Sequence, residues 1–179
     1  MVQGELALEN QLIKQLNSVG YSTVDVKDEA SLLANLKLQI EKRKNTCLSE
    51  TEFNKILNIL DKGTVFERAK TLRGEQHIER DNGDNFYFYF LDKESWNTNT
   101  FQVTNQITKE GTYKNRYDVT LLINGLPLVQ IELKRRGVEM AEAFHQIKRY
   151  KKNSFASGVG LFQYIQLFII SNGVNTKYF

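Results

Sequence analysis

The sequence predicts one α/β domain with a helical first half and a β-sheet in its second half. Apolar residues recur at helical spacing as far as residue 74. From residue 86 onward, aromatic-rich and alternating segments replace that spacing. Two apolar segments within residues 116–137 flank Asn124-Gly125, a dipeptide that strongly favours a tight hairpin turn. At 179 residues, the chain is long enough to bury a substantial core.

Local signals delimit the elements of the helical half. Gly20 follows the first apolar repeat and favours a helix end there. Ser49 and Glu52 have the spacing of a capping box, which predicts that a helix begins at this point. The predicted helices lie at residues 4–20, 29–45, 49–63 and 64–74, and a polar loop at residues 74–85 follows.

The second half predicts strands and one further helix. Residues 164–171 form a nearly continuous apolar segment, which is typical of a strand buried on both faces. Residues 138–152 carry one apolar helical face, formed by Met140, Ala143, Phe144 and Ile147. The other predicted strands are residues 86–92, residues 100–107 and the two arms of the hairpin.

Composition narrows the class of protein. Hydrophobic residues make up 41% and charged residues 25%, the single cysteine has no internal partner, and the sequence lacks a signal peptide and a membrane span. We therefore expect a cytoplasmic protein with no membrane partner. The chain has no linker and ends without a polar tail, so we expect a single domain cut from a longer polypeptide. It would comprise a mainly helical part at residues 1–75 and a sheet core at residues 85–175.

Positive charge is concentrated beside the hairpin. The net charge is only +3, but residues 134–152 contain seven Lys or Arg against two Glu. Such a cluster suits a polyanion, although a run of charge is also typical of ordinary solvated surface.

Three charged residues interrupt the hairpin: Asp118, Glu132 and Lys134. Alternation puts Glu132 and Lys134 on one strand face. A two-residue turn with regular strands would point Asp118 away from them, so the shared face requires a three-residue loop or one β-bulge. Two adjacent carboxylates repel each other unless a cation lies between them. Oxygen ligands without nearby His or Cys favour Mg²⁺. The alternative is that all three simply face solvent.

The motif Asp118, then Glu132-Leu133-Lys134, resembles the PD-(D/E)xK nuclease motif, with Tyr117 in place of proline. The longer segment at residues 117–137 resembles the nuclease domain at the N-terminus of the R subunit of type I restriction–modification enzymes. That similarity continues through residues 143–155 and 161–179, whereas the helical first half agrees only in general character.

The resemblance implies a PD-(D/E)xK restriction-endonuclease-like fold with a mixed sheet flanked by helices. It also implies that Mg²⁺, for which Mn²⁺ substitutes, binds Asp118, Glu132 and the Leu133 carbonyl. Lys134 would orient or help to deprotonate the attacking water and stabilise charge at the scissile phosphate. The two histidines, His77 and His145, are interpreted as ordinary polar residues.

Further residues can be assigned roles from the resemblance. Gln146 and Tyr150 share one helix face and match the Gln-x-x-x-Tyr motif that helps to hold DNA in some relatives, although an ordinary helix surface explains them almost as well. Glu9 is a candidate additional metal ligand, but Glu5 one turn away favours a solvated helix face. The candidate phosphate contacts are Arg135, Arg136, Lys148, Arg149, Lys151 and Lys152.

The residues and the resemblance together predict the Mg²⁺-dependent endonuclease domain of a type I restriction R subunit, which acts on double-stranded DNA. The resemblance implies methyltransferase (M) and specificity (S) subunits as partners and an ATP-driven translocase later in the same polypeptide. This chain has no Gly-x-x-x-x-Gly-Lys-[Ser/Thr] segment, so ATP would serve only that absent region. Two alternatives are a repair or junction-resolving nuclease of the same fold, and an inactive DNA-binding or assembly module.

Overall fold

The computed structural model describes residues 4–109, 115–137 and 160–179. Within them the protein is mixed α/β, with four α-helices and two sheets. The helices are α1 (Glu5–Ser18), α2 (Glu29–Lys44), α3 (Glu50–Leu60) and α4 (Val65–Arg73). The strands are β1 (Ser22–Thr23), β2 (Gln76–Glu79), β3 (Asn85–Phe88), β4 (Phe101–Lys109), β5 (Asn115–Ile123), β6 (Leu126–Leu133), β7 (Leu167–Ser171) and β8 (Thr176–Tyr178). Two short 3₁₀-helices lie at Trp96–Thr98 and Leu161–Tyr164.

The larger sheet is mixed, as expected. Its six strands lie in the order β1-β4-β5-β6-β7-β8. Strands β1 and β4 pair in parallel, as do β6 and β7, whereas the other neighbours are antiparallel. The hairpin β5–β6 therefore lies at the centre of this sheet. Strands β2 and β3 form a separate antiparallel pair.

Helices cover both faces of the larger sheet. On one face, Leu32 and Leu36 of α2 and Ile56 of α3 belong to the larger core, and all three are fully buried. On the other face, Leu8 and Leu12 of α1 pack against a smaller core. That core is formed by Val103, Val119, Leu121, Ile131 and Leu133. None of the helices in the described ranges is long and apolar enough to cross a membrane.

The four helices of the first half are confirmed, with ends within a few residues of those predicted. The Ser49 side chain accepts a hydrogen bond from the Glu52 amide at 3.1 Å, and the Glu52 carboxylate accepts one from the Ser49 amide at 3.0 Å, so the capping box is confirmed. Gly20, at φ 102°, ends the first helix, and the next amide bonds back to the Leu16 carbonyl at 3.1 Å.

The predictions for three segments need correction. Residues 74–85 are not simply a loop, because β2 and β3 pair across them with Gln76 opposite Phe88. The strand predicted at residues 86–92 ends at Phe88, and it joins this small sheet rather than the central one. Strand β7 is also less buried than its apolar sequence suggested, with only Ile170 fully buried.

A buried ion pair fixes the β2–β3 hairpin to α3. Glu52 is almost fully buried and accepts hydrogen bonds from Arg80 at 3.0 and 3.3 Å. The Asp81 amide donates to the same carboxylate at 3.1 Å. The Arg80 hydrogen bond is the main reason that the pKa of Glu52 falls to about 2. Glu52 therefore both caps its helix and anchors the hairpin.

We expect Glu52→Gln to lower the free energy of unfolding by about 1–2 kcal/mol at pH 7, because it replaces two hydrogen bonds between charged groups with weaker ones. The depressed pKa means that this contribution is complete above about pH 4.5 and is lost as the pH falls towards 2. Urea unfolding at pH 7 and pH 3 measures it, with Glu50→Gln as the control, since Glu50 is exposed on the same helical turn. Equal effects of the two variants at pH 7 would contradict the assignment.

Candidate active site

A β-bulge in the β5–β6 hairpin brings the predicted acids together. Asn124 and Gly125 form a two-residue turn at φ 52° and 85°, and Ile123 pairs with Leu126. The pairing then shifts between Leu122, opposite Pro127, and Leu121, opposite Val129. Leu128 is thus the extra residue. Beyond it the register places Asp118 opposite Glu132, so the predicted need for a bulge is confirmed.

Pro127 gives a physical reason for the position of this bulge. Proline has no N–H to donate to a sheet ladder, and within sheets it is tolerated at bulges. The adjacent Leu128 carbonyl accepts a hydrogen bond from the Gln166 amide at 2.9 Å. Pairing of β6 with β7 begins only at Val129, opposite Leu167. The irregular backbone therefore lies where the proline disturbs no parallel pairing.

Asp118 and Glu132 are in side-chain contact. Glu132 is fully buried, and the Asp118 carboxyl lies within hydrogen-bonding distance of it. One Asp118 oxygen also accepts the Leu133 amide at 2.8 Å. Burial, followed by the charge of Asp118, raises the pKa of Glu132 to about 9. Burial likewise raises the pKa of Asp118, against the lowering effects of the Leu133 amide and Lys134.

The side chains on either side of Asp118 in β5 contribute to different cores. Val119 contributes to the smaller core, whereas Tyr117, two residues away on the same strand, contributes to the larger one. On the paired strand, Val103 and Ile107 are divided in the same way. Gln106, which lies opposite Asp118 in this register, has an irregular backbone at φ 56°. Asp118 thereby lies where the α1 side of the sheet can approach the acid pair.

Glu9 is buried, so the prediction that it lies on a solvated helix face is wrong. Its carboxylate accepts hydrogen bonds from the side chains of Asn105 and Gln106, at 2.5 and 3.2 Å. Its charge raises the pKa of Asp118, as does that of Glu5. Glu5 also accepts a hydrogen bond from the Arg135 amide at 3.3 Å. The first helix thus brings two carboxylates towards the acid pair.

Lys134 directly follows the end of β6 and is half-buried. Its amide donates to the Ser171 carbonyl of β7 at 2.9 Å, and its charge lowers the pKa of both Asp118 and Glu132. Arg135 and Arg136 follow and are exposed. The predicted helix at residues 138–152 lies outside the described residues, together with Gln146, Lys148, Arg149, Tyr150, Lys151 and Lys152.

The donor set suits a hard divalent cation. Asp118 and Glu132 offer carboxylate oxygens, the kind of ligand that Mg²⁺ prefers. A cation between them would offset the burial that raises both pKa values and the charge of Asp118 that further raises the pKa of Glu132. In the part of the chain that the structure describes, no group of three or more His, Cys, Asp or Glu residues has the geometry of a metal site. The acid pair would therefore supply two carboxylate ligands, and other oxygen atoms would complete the coordination.

Without divalent metal, we expect the free energy of unfolding to fall as the pH rises from about 5.5 to 8.5. The folded-state pKa of Glu132 lies above its unfolded value, so the stabilisation is complete below about pH 4.5 and is lost as the pH rises towards 9. The loss is at most about 1.4 kcal/mol per pH unit. Urea unfolding in chelator measures it. Glu132→Gln should remove most of the slope, and an unchanged slope would contradict the raised pKa.

Sequence reasoning missed the polar residues that surround the acids. Gln130, on the same face as Glu132, donates to it at 3.4 Å, and the Thr120 hydroxyl donates to Gln130 at 2.8 Å. Thr120 and Gln130 alternate with apolar neighbours along their strands, and this alternation could have indicated that both lie on the face of Glu132. Asn105 and Gln106 gave no such signal, because only the packing of α1 brings Glu9 to them.

Comparison with known proteins agrees with the resemblance seen in the sequence. The family model "Type I restriction enzyme R protein N terminus" matches residues 3–179. The chain is 49% identical, over 99% of its length, to the type I restriction enzyme SauCOLORF180P endonuclease subunit of Staphylococcus aureus strain COL. It is 47% identical, over 98% of its length, to the SsaAORF53P endonuclease subunit of Staphylococcus saprophyticus. The EcoprrI endonuclease subunit of Escherichia coli is 42% identical over 99% of the chain.

The alignments cover nearly all of this chain but only part of each relative. The chain spans 19% of the length of each of the two staphylococcal relatives and 58% of the Escherichia coli relative. The family match, by contrast, covers the chain from residue 3 to its last residue. The chain belongs to the family of N-terminal regions of type I restriction enzyme R proteins.

Proposed function

We propose that this chain is the Mg²⁺-dependent endonuclease domain of a type I restriction enzyme R subunit and that it hydrolyses phosphodiester bonds in double-stranded DNA. The observation that carries the proposal is the buried contact between Asp118 and Glu132, with Lys134 just beyond the end of the same strand. Membership of the R protein family and the endonuclease names of its relatives support it. We also propose that the mixed sheet is that of the PD-(D/E)xK fold.

Each residue of the acid pair has a defined part in this proposal. Asp118 and Glu132 project from neighbouring strands and would bind Mg²⁺ together with the Leu133 carbonyl. The Leu133 amide holds Asp118 in place at 2.8 Å. Glu9 is a candidate further ligand that acts on Asp118 through its charge, and its carboxylate would have to leave Asn105 and Gln106 to join the pair. When bound, Mg²⁺ supplies Lewis-acid polarisation of a phosphate oxygen and activation of water.

The basic residues act on the DNA and on the attacking water. Lys134 carries a compact ammonium group that donates hydrogen bonds to the water or to a phosphate oxygen, and it stabilises the negative charge that develops there. Arg135 and Arg136 are exposed beside it and would attract the DNA backbone without reading its sequence. We propose that M and S subunits present the DNA and that an ATP-driven translocase belongs to the full-length chain.

Metal titration tests the proposal. We expect the wild-type chain to bind Mn²⁺ in calorimetric titration and Asp118→Asn to weaken that binding at least tenfold, because one of the two facing carboxylates becomes neutral. Asp25→Asn is the control, since Asp25 is exposed. No Mn²⁺ binding by the wild-type chain, even with DNA present, would contradict the nuclease and favour a DNA-binding or assembly module.

A further inference from the structure

A buried polar row crosses the central sheet towards the acid pair. The register places Thr104 of β4 opposite Thr120 of β5, and Thr120 opposite Gln130 of β6. All three side chains are fully buried. Buried polar groups destabilise a fold unless they are hydrogen-bonded, so the partners of each one matter. Thr104 bonds to the backbone, because its hydroxyl donates to the Val26 carbonyl at 2.9 Å.

Thr120 has a different kind of partner, because its hydroxyl anchors the side-chain amide of Gln130. Its hydroxyl donates to the Gln130 side-chain oxygen at 2.8 Å. The Gln130 side-chain NH₂ must then point the other way, where it lies 3.4 Å from a Glu132 carboxylate oxygen and 3.3 Å from the Ile131 carbonyl. The Ile131 carbonyl can only accept, so the reversed amide would bring oxygen against oxygen there. The Ile131 carbonyl therefore sets which way the Gln130 amide faces, and the Thr120 hydroxyl anchors the amide oxygen.

A second buried glutamine on the same face shows what a purely structural amide looks like here. Gln102 of β4 exchanges two hydrogen bonds of 3.1 Å with Asn35 of α2. That pair ties the helix to the sheet, and Gln39 also donates to Asn35 at 3.5 Å, so only neutral amides take part. Gln130 instead connects a neutral hydroxyl to a carboxylate of the candidate active site.

We propose that Gln130 is a positioning residue that holds the Glu132 carboxylate in the orientation required to bind the divalent cation, with Thr120 fixing the Gln130 amide. This inference rests on the proposed function. The amide occupies one side of Glu132 Oε1 and limits rotation of the carboxylate, while Asp118 approaches from the neighbouring strand. Such outer partners of metal ligands typically contribute about 10–100-fold to metal affinity.

The test compares Mn²⁺ dissociation constants of the chain by calorimetric titration. We expect Gln130→Met, which keeps the length of the side chain and removes the amide, to weaken binding by about 10–100-fold. Thr120→Val should weaken it in the same direction by a smaller factor, because the amide remains but loses its orienting donor. Thr120→Ser should restore wild-type affinity, since it retains the hydroxyl.

Gln102→Met is the matched control. It removes an equally buried glutamine from the same sheet face, so it should lower stability without changing Mn²⁺ affinity. Wild-type affinity in folded Gln130→Met, with binding abolished in Asp118→Asn, would overturn this inference alone. Absence of binding by the wild-type chain would overturn the proposed function as well. Equal loss of affinity in Gln130→Met and Gln102→Met would show a general packing effect and would also overturn the inference.

Discussion

Lys134→Ala should reduce DNA cleavage by the full-length R subunit, assembled with its partner subunits, by about 10²–10³-fold. Lys134 lies beside the acid pair and lowers the pKa of both Asp118 and Glu132, so its ammonium group acts directly on the proposed reaction centre. Its removal takes away the donor that would orient water and stabilise the developing phosphate charge. Linearisation of circular DNA under ATP-saturating conditions is the measurement.

The same preparation should retain its other activities. ATP hydrolysis should continue at the wild-type rate, because the motor proposed for the full-length chain does not include Lys134. Stability should change little, because Lys134 is only half-buried and its backbone hydrogen bond to Ser171 remains. Lys177→Ala is the control, as Lys177 is an exposed lysine on β8. Undiminished cleavage by Lys134→Ala, with ATP hydrolysis intact, would show that the active site is assigned wrongly.

Gly125→Ala should lower the free energy of unfolding by about 2–4 kcal/mol. Gly125 has a left-handed backbone at φ 85°, a conformation that is unfavourable for residues with a Cβ atom. A Cβ there would lie 2.7 Å from the Leu36 Cα and 3.0 Å from its nitrogen. Both atoms belong to the backbone of α2, which cannot move without disturbing the larger core. Urea unfolding monitored by circular dichroism measures the loss.

Gly83→Ala separates the backbone strain from the collision. Gly83 has nearly the same φ, 87°, but nothing lies within 4 Å of a Cβ placed there. We expect it to lower stability by about 1 kcal/mol, the strain alone. The difference between the two variants then reports the close packing of the hairpin turn on α2. Equal losses would mean that this packing contributes nothing measurable.

The neighbouring Asn124 explains how the turn is held at this place. Its side chain accepts the Thr100 amide at 2.8 Å and donates to the Phe90 carbonyl and to Asn99, at 2.8 and 2.7 Å. Asn124 therefore does more than favour the turn conformation. It ties the hairpin to two other segments, and the bulge between the turn and Asp118 then sets the register of the acids.

Much of the fold and of the hairpin that carries the site could be predicted from the sequence, because the signals for both are local. The capping box at Ser49 and Glu52 determines where α3 begins through bonds between residues three apart. Asn124-Gly125 determines the turn, and side-chain parity shows that a bulge must exist if Asp118 is to face Glu132. Parity alone does not locate that bulge. Its place at Leu128 depends on Pro127 and on where β7 begins to pair.

Residues whose role depends on distant contacts could not be predicted in the same way. Glu9 has the sequence setting of a solvated helix residue, yet Asn105 and Gln106, nearly a hundred positions away, bury it beside the sheet. The first strand of the β2–β3 hairpin lies in a polar segment that was predicted to be a loop. Its attachment depends on the ion pair between Arg80 and Glu52, which are far apart in the sequence.

The sequence by itself determined the helices and the hairpin, because propensity, capping and alternation act over a few residues, and its resemblance to a known motif singled out the acid pair. Only the tertiary structure decided that Asp118 meets Glu132 in a buried contact and that Gln130 reaches the same carboxylate. It also decided that α1 brings Glu9 towards them. The physical reason is that burial and charge interactions depend on which segments pack together. Segments far apart in the sequence supply the neighbours of these residues.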